Sequence, residues 1–161
     1  MLQQTQVKTV IPYFKSFVHK VPNLKALSKS NEKKILKLWE GLGYYSRARN
    51  LHKTSKILVK KYKSQIPNNF EKLKELPGIG DYTANVLLAL IYNQPRVGLD
   101  GNVKRVFFRL FNLEITNTTN LFKTKRNADL AEALMEFGAI ICKPKDPLCN
   151  KCKLKKICLY Y

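Results

Sequence analysis

All four cysteines of the chain stand among its last twenty residues, in "CKPKDPLCNKCKLKKIC" (142–158), spaced C-x6-C-x2-C-x5-C. Thiols inside cells rarely pair as structural disulfides, so a metal site is the better first reading, with two disulfides as the alternative. Zinc usually takes cysteines as two close pairs. Here only Cys149 and Cys152 are close, and Cys142 and Cys158 stand further off on either side. Four thiolates wrapped at uneven spacing around one compact group suit a [4Fe-4S] centre better. Such a centre need do no more than staple a small lobe. Pro144 and Pro147 stiffen the loop, and its lysines offset a negative cluster while facing a phosphate backbone.

Charge narrows the partner. Thirty Lys and Arg against eleven Asp and Glu give a formal net charge of +19, which calls for a polyanion, and nucleic acid is the commonest one. A compositional bias toward lysine is the plainer alternative. At 161 residues and 45% hydrophobic, the chain can bury one substantial core, divided into two lobes. No apolar run approaches the roughly 20 residues of a membrane span, and no signal-peptide pattern opens the chain. The expectation is a cytoplasmic, nucleoid-associated protein with no membrane contact.

The apolar periodicity is helical almost throughout. Val7, Val10, Ile11, Phe14, Phe17 and Val18 share one stripe, with Pro12 expected to kink the helix, and Leu51, Ser55, Leu58, Val59 and Tyr62 share another. Shorter helices are expected around Leu24 to Leu27 and Ile35 to Trp39, before the turn-forming "GLGYYS". "VLLALIY" (86–92) is apolar on all sides and reads as a central buried helix with Asp81 as its N-cap. Val103, Val106, Phe107, Leu110 and Phe111 make a further helix, and Leu130, Leu134, Phe137, Gly138 and Ile141 a last one. No period-2 strand is found, and 112–127 reads as a loop.

"LPGIGDYTANVLLAL" places two glycines, Gly78 and Gly80, after a proline and before an apolar helix. A tight turn there aims backbone N–H groups outward at a helix N-terminus, which binds phosphate without side-chain charge; an ordinary helix-turn-helix link is the alternative. Asp100, in "LDGNVKRV", opens the next helix. An aspartate there is most often only an N-cap, and a catalytic carboxylate is the sharper reading beside a phosphate-binding turn.

Taken together, "MLQQTQV", "LWEGLGYYSRARNLHK", "LPGIGDYTANV", "LDGNVKRV" and the cysteine tail resemble the helix-hairpin-helix DNA glycosylases that carry an iron-sulfur cluster, in particular the A/G-specific adenine branch (MutY type). The resemblance implies an all-α, two-lobe fold. A helical barrel module would occupy residues 1–95, with the hairpin at 76–84, and a small [4Fe-4S] lobe would occupy 96–161, with the cluster on Cys142, Cys149, Cys152 and Cys158. It implies a monomer acting on double-stranded DNA with an A:8-oxoguanine or A:G mispair, whose adenine is flipped out and cut from its sugar. Asp100 would stabilise the sugar cation with Asn102 as helper. Glu132 would meet the adenine edge, Gln4, Leu42 and Tyr44 would wedge around the opposing purine, and Gly78 and Gly80 would hold backbone phosphate. Core packing is the alternative for Leu42 and Tyr44.

The related endonuclease III type, which also cuts the strand, carries a Schiff-base lysine where this chain has Tyr82, so Tyr82 implies a monofunctional glycosylase. An endonuclease-III-like activity on oxidised pyrimidines is the rival enzyme reading, and a non-catalytic DNA binder the rival of another class. The family's acid glutamate lies two residues before the methionine of "MLQQT", and its 8-oxoguanine-reading domain follows the cysteines. Measured on the residues given, the resemblance therefore implies impaired activity, weak lesion discrimination and, between Asp100 and Cys142, a stretch shorter than usual.

Overall fold

A computed structural model of the chain describes residues 1–116 and 124–161. Among them are eight α-helices and no strand: α1 (Val7–Lys20), α2 (Leu24–Lys29), α3 (Glu32–Leu38), α4 (Ser46–Lys61), α5 (Phe70–Lys74), α6 (Asp81–Tyr92), α7 (Gly101–Phe111) and α8 (Asn127–Ile140). Short 3-10 turns cover Cys149–Lys151 and Lys155–Ile157. None of the helices is long and apolar enough to cross a membrane.

Three of the helices, α2, α3 and α7, start where short polar side chains replace the missing backbone acceptors. Asn23 accepts from Ala26 N at 2.9 Å, Asn31 from Lys33 N at 2.9 Å, and Asp100 from Val103 N at 2.8 Å. The N-cap of α6 is Gly80; Asp81, expected there, is instead the first helical residue, where its carboxylate faces the positive end of the helix dipole. At the other ends, α6 and α7 close on Asn93 and Asn112 in the left-handed conformation, which asparagine tolerates better than most residues.

The chain divides into two compact units, residues 1–67 with 71–78, and 68–70 with 79–161. This cut runs through the hairpin, whereas the sequence-based division falls after residue 95. In the first unit, α4 lies against α2 and α3. Phe17 meets Trp39 edge to face, ring centroids 6.2 Å apart, within a core of Val10, Val21, Leu27, Ile35, Leu42 and Ala48. In the second, α6 and α7 both pack on α8 around Ala89, Val97, Val103, Phe107, Ile115 and Ala131.

Two helices bury less than their patterns suggest. α1 runs unbroken through Pro12, but only Val10 and Phe17 are buried, while Val7, Ile11, Phe14 and Val18 form an exposed stripe beside them. Hydrophobicity marks both adjacent faces and cannot say which of them meets the core. In α6, Ala84, Leu88 and Ala89 are buried, and Leu90 and Ile91 are exposed. The expected loop at 112–127 lies in part outside the described residues.

A pair of asparagines fastens α8 to the end of α6. Asn127 Nδ2 donates to the Asn93 carbonyl at 2.8 Å and its Oδ1 accepts from Thr124 N at 3.0 Å, while Asn93 Oδ1 accepts from Ala128 N at 3.0 Å. Asn127 is buried, so its removal leaves desolvated backbone groups unpaired. Asn127→Ala is expected to cost about 1–3 kcal/mol, read as a lowered urea midpoint at unchanged slope, whereas Asn127→Asp should recover only the Thr124 contact.

Candidate functional site

In the first unit, one guanidinium joins two turns that lie far apart in sequence. Arg47 Nη1 donates to the Met1 carbonyl at 2.7 Å, to Thr5 Oγ1 at 3.0 Å and to the Gln3 carbonyl. Its Nη2 donates to the carbonyls of Leu42 and Gly43 at 3.1 and 3.2 Å. The same guanidinium lies 5.5 Å from the ring centroids of both Trp39 and Tyr44. Gln4 and Tyr44 stand on these two turns in the left-handed region, φ 58° and 47°, and both point to solvent, Tyr44 being 63% exposed. Each such residue costs on the order of 1–3 kcal/mol and persists only where its surroundings hold it. Leu42, expected to wedge into a duplex, is instead 6% exposed and part of the core, so its apolar side chain serves packing.

The hairpin between α5 and α6 begins at Pro77. Gly78 follows at φ 79°, the proline-glycine pattern of a type II turn, and a Cβ there would also come within 2.9 Å of the Asn50 side chain. Thr54 is buried and its hydroxyl donates to the Pro77 carbonyl at 3.0 Å, anchoring the turn from α4. Gly78 and Gly80 are exposed, which leaves the backbone at the start of α6 open to solvent.

The second unit holds Asp100 by both oxygens. Oδ1 caps α7 through Val103 N, and Oδ2 accepts from Asn102 Nδ2 at 3.3 Å. The capping reading of Asp100 is therefore observed, and the same contacts hold its carboxylate in one place. Asn102 is held in turn, because its Oδ1 accepts from Arg105 Nη2 at 2.8 Å. Arg105 also donates to the Gly101 carbonyl at 3.2 Å, the Gly138 carbonyl at 2.7 Å and the Cys142 carbonyl at 2.8 Å. A hydrogen-bonded path thus runs from the carboxylate to the first cysteine. Gly138 makes the approach of α8 possible, since a Cβ there would meet Asn102 Cβ at 2.7 Å.

Tyr82 lies close enough to Asp100 to feel its charge, and its hydroxyl donates to Met135 Sδ at 3.3 Å. Burial first, and the Asp100 carboxylate second, raise the phenol above its ordinary value near 10. Tyr82 therefore stays neutral to a higher pH than an ordinary tyrosine. Glu132 is exposed on α8 one turn before Met135, on the same helix face.

Cys142, Cys149, Cys152 and Cys158 are free thiols that line one pocket, walled by Leu110, Phe137, Ile141, Pro147 and Tyr160. Among the described residues, no three His, Cys, Asp or Glu side chains converge as ligands of a single ion. Four thiols around a shared apolar pocket are a donor set that a tetrahedral zinc or an iron-sulfur cluster can take. Arg109 faces the same pocket, its Nη1 3.6 Å from Cys142 Sγ and 2.7 Å from the Lys143 carbonyl, with its guanidinium 4.5 Å from the Tyr160 ring centroid. Cys158 Sγ donates to the Arg109 carbonyl at 3.4 Å, tying the end of the chain to α7.

Sequence reasoning missed Arg47, Arg105, Arg109 and Met135. The one-turn spacing of Asn102, Arg105 and Arg109 places them on one face of α7 and was the available signal; nothing local announces Arg47 or Met135. Asp100→Asn is expected to lower the Tyr82 titration point while leaving it above an ordinary tyrosine, because the burial contribution remains. Titration of 13Cζ-labelled tyrosine by NMR reads this directly. The accompanying stability is full below pH about 10 and is lost as pH rises through the raised value.

A family model for the HhH-GPD superfamily base excision DNA repair protein matches residues 1–132. The chain is 43% identical over its whole length to an adenine DNA glycosylase of Buchnera aphidicola subsp. Baizongia pistaciae, covering 49% of that protein. It is 40% identical, again over its whole length, to the adenine DNA glycosylase of Buchnera aphidicola subsp. Schizaphis graminum, covering 50% of it. It thus spans about half the length of these curated relatives. A thermostable thymine-DNA glycosylase of known structure superposes with a TM-score of 0.88 at 28% identity, over 99% of this chain and 79% of that one. A family match over most of the chain, and a shared all-helical architecture, lead to one assignment: the chain belongs to the HhH-GPD superfamily of base excision DNA repair proteins.

Proposed function

We propose that the protein is a monofunctional adenine DNA glycosylase, hydrolysing the N-glycosidic bond of adenine mispaired with 8-oxoguanine or guanine in duplex DNA, as a monomer on chromosomal DNA. The observation that carries this reading is Asp100, a carboxylate held by both oxygens at the N-terminus of α7 beside a neutral phenol. The likeness to adenine glycosylases supports the choice of base.

As the bond to the base lengthens, positive charge develops on the sugar, and a fixed carboxylate lowers the energy of that cation with little reorganisation. Asn102 and the cap keep Asp100 aimed, and Arg105 keeps Asn102 aimed. Tyr82, neutral and lacking an amine, positions substrate by its hydroxyl and ring and forms no Schiff base. Glu132 offers a carboxylate to the exocyclic amine of a flipped adenine. Gly78 and Gly80 expose the turn at the start of α6 to a backbone phosphate, and Gln4 and Tyr44 approach the opposing purine. The net charge of +19 draws the polyanion in.

Cys142, Cys149, Cys152 and Cys158 are proposed to hold a [4Fe-4S] cluster. Bound there, it would cross-link the C-terminal segment to α7 and α8, with Arg109 facing its negative charge. Protein prepared without oxygen is expected to be brown and to contain about four irons per chain; stoichiometric zinc without iron would sink this assignment.

The activity is tested with single-turnover release of adenine from an A:G duplex. Asp100→Asn should slow release by about a hundredfold or more while mispair binding changes little. Binding that falls steeply with salt, with no base released by the unmodified chain, would make it a DNA-binding protein instead. Borohydride trapping on an abasic site would favour the strand-cutting type.

A further inference from the structure

We infer that Arg47 is a positioning residue for DNA recognition: its guanidinium holds the turns that present Gln4 and Tyr44, without itself needing to touch the duplex. The inference rests on the proposed glycosylase reading and adds to it the part that sets the aim of the two side chains.

The geometry is one of brackets. The first turn is closed by Thr5 N donating to the Leu2 carbonyl at 3.2 Å, with Gln4 as its third residue in the left-handed region. Arg47 Nη1 binds acceptors on both sides of Gln4, the Gln3 carbonyl before it and Thr5 Oγ1 after it. Nη2 binds the carbonyls of Leu42 and Gly43, the two residues before Tyr44. The Tyr44 carbonyl in turn accepts from the Arg47 backbone N–H at 2.9 Å.

Behind the guanidinium stands Trp39, 1% exposed, whose ring faces it and whose Nε1 donates to the Gly43 carbonyl at 3.2 Å. The tryptophan is fixed by the core, so the arginine transmits that rigidity to both turns. Arg47 Nε is buried and has no hydrogen-bond partner. The side chain is therefore oriented by its two turns even though one of its own donors goes unmet.

A merely structural clamp would not need to end in an exposed amide and an exposed phenol, each on left-handed backbone. Lysine cannot replace this arginine, because an ammonium is a point donor and cannot serve acceptors on two turns from one plane. It does keep the charge. Arg47→Lys therefore separates aim from attraction.

The test uses the full 161-residue chain and an A:G duplex carrying 2-aminopurine beside the mispair, against a matched duplex. Wild type is expected to prefer the mispair and to raise 2-aminopurine fluorescence as the wedge unstacks the neighbouring base. Arg47→Lys should keep matched-duplex affinity and its salt slope but lose mispair preference by about tenfold, together with the fluorescence rise. Adding Tyr44→Ala to Arg47→Lys should then cost little more, since both changes disable one unit. Preference and fluorescence retained in Arg47→Lys overturn the inference alone. A wild type without mispair preference overturns it together with the glycosylase reading. Should Arg47→Lys fail to fold, Thr5→Val removes a single acceptor and should give a smaller loss in the same direction; unchanged preference in that variant overturns the inference.

Discussion

Both units depend on guanidinium groups that bind carbonyls from two places in the chain at once. Eight helices of five to sixteen residues leave many backbone acceptors beyond their ends, and no sheet exists among the described residues to absorb them. Arg47, Arg105 and Arg109 fill this role. The first ties two turns of the N-terminal unit, the second ties the start of α7 to the end of α8 and the cysteine loop, and the third reaches further into that loop. Arg105 and Arg109 stand one helical turn apart, so α7 offers its neighbours a row of donors.

The carboxylate at Asp100 is held in the same relayed way. A cap alone would fix one oxygen; Asn102 fixes the other, and Arg105 fixes Asn102. Every group in that sequence sits in the first turn and a half of one helix, which makes the arrangement rigid at short range. Gly138 then lets α8 come in close enough to supply a carbonyl to Arg105. Position is set by backbone, and charge is placed where the backbone permits.

Much of this was legible in the residues. Period 3.6 located all the described helices but the five-residue α5, while Asp100 marked the start of α7 and the proline-glycine turn the approach to α6. Asp100 and the four cysteines were visible as a helix start and as a spacing, and Asn102 only through the family resemblance. What escaped has a common cause. Val7, Ile11, Phe14 and Val18 carry a helical stripe as clear as that of Val10 and Phe17, but amphipathicity does not say which face finds a partner. Leu42 sits in a glycine-rich turn where wedging and core packing are both open in the sequence, and only the position of Trp39 and Ile35 around it decides for the core. The arginine clamps bind carbonyls, and every residue has a carbonyl, so no side-chain pattern identifies the partners of Arg47.

Six of the thirty basic residues are arginine, and the three that clamp are not interchangeable with the lysines around them. In the genetic code an AGA arginine codon becomes an AAA lysine codon by a single base change. Such an exchange would leave the formal charge at neutral pH and the attraction to a polyanion where they were, while removing the plane of donors that joins one segment to another. Some of the disruptive mutations available to this chain are then ones that a charge count cannot detect.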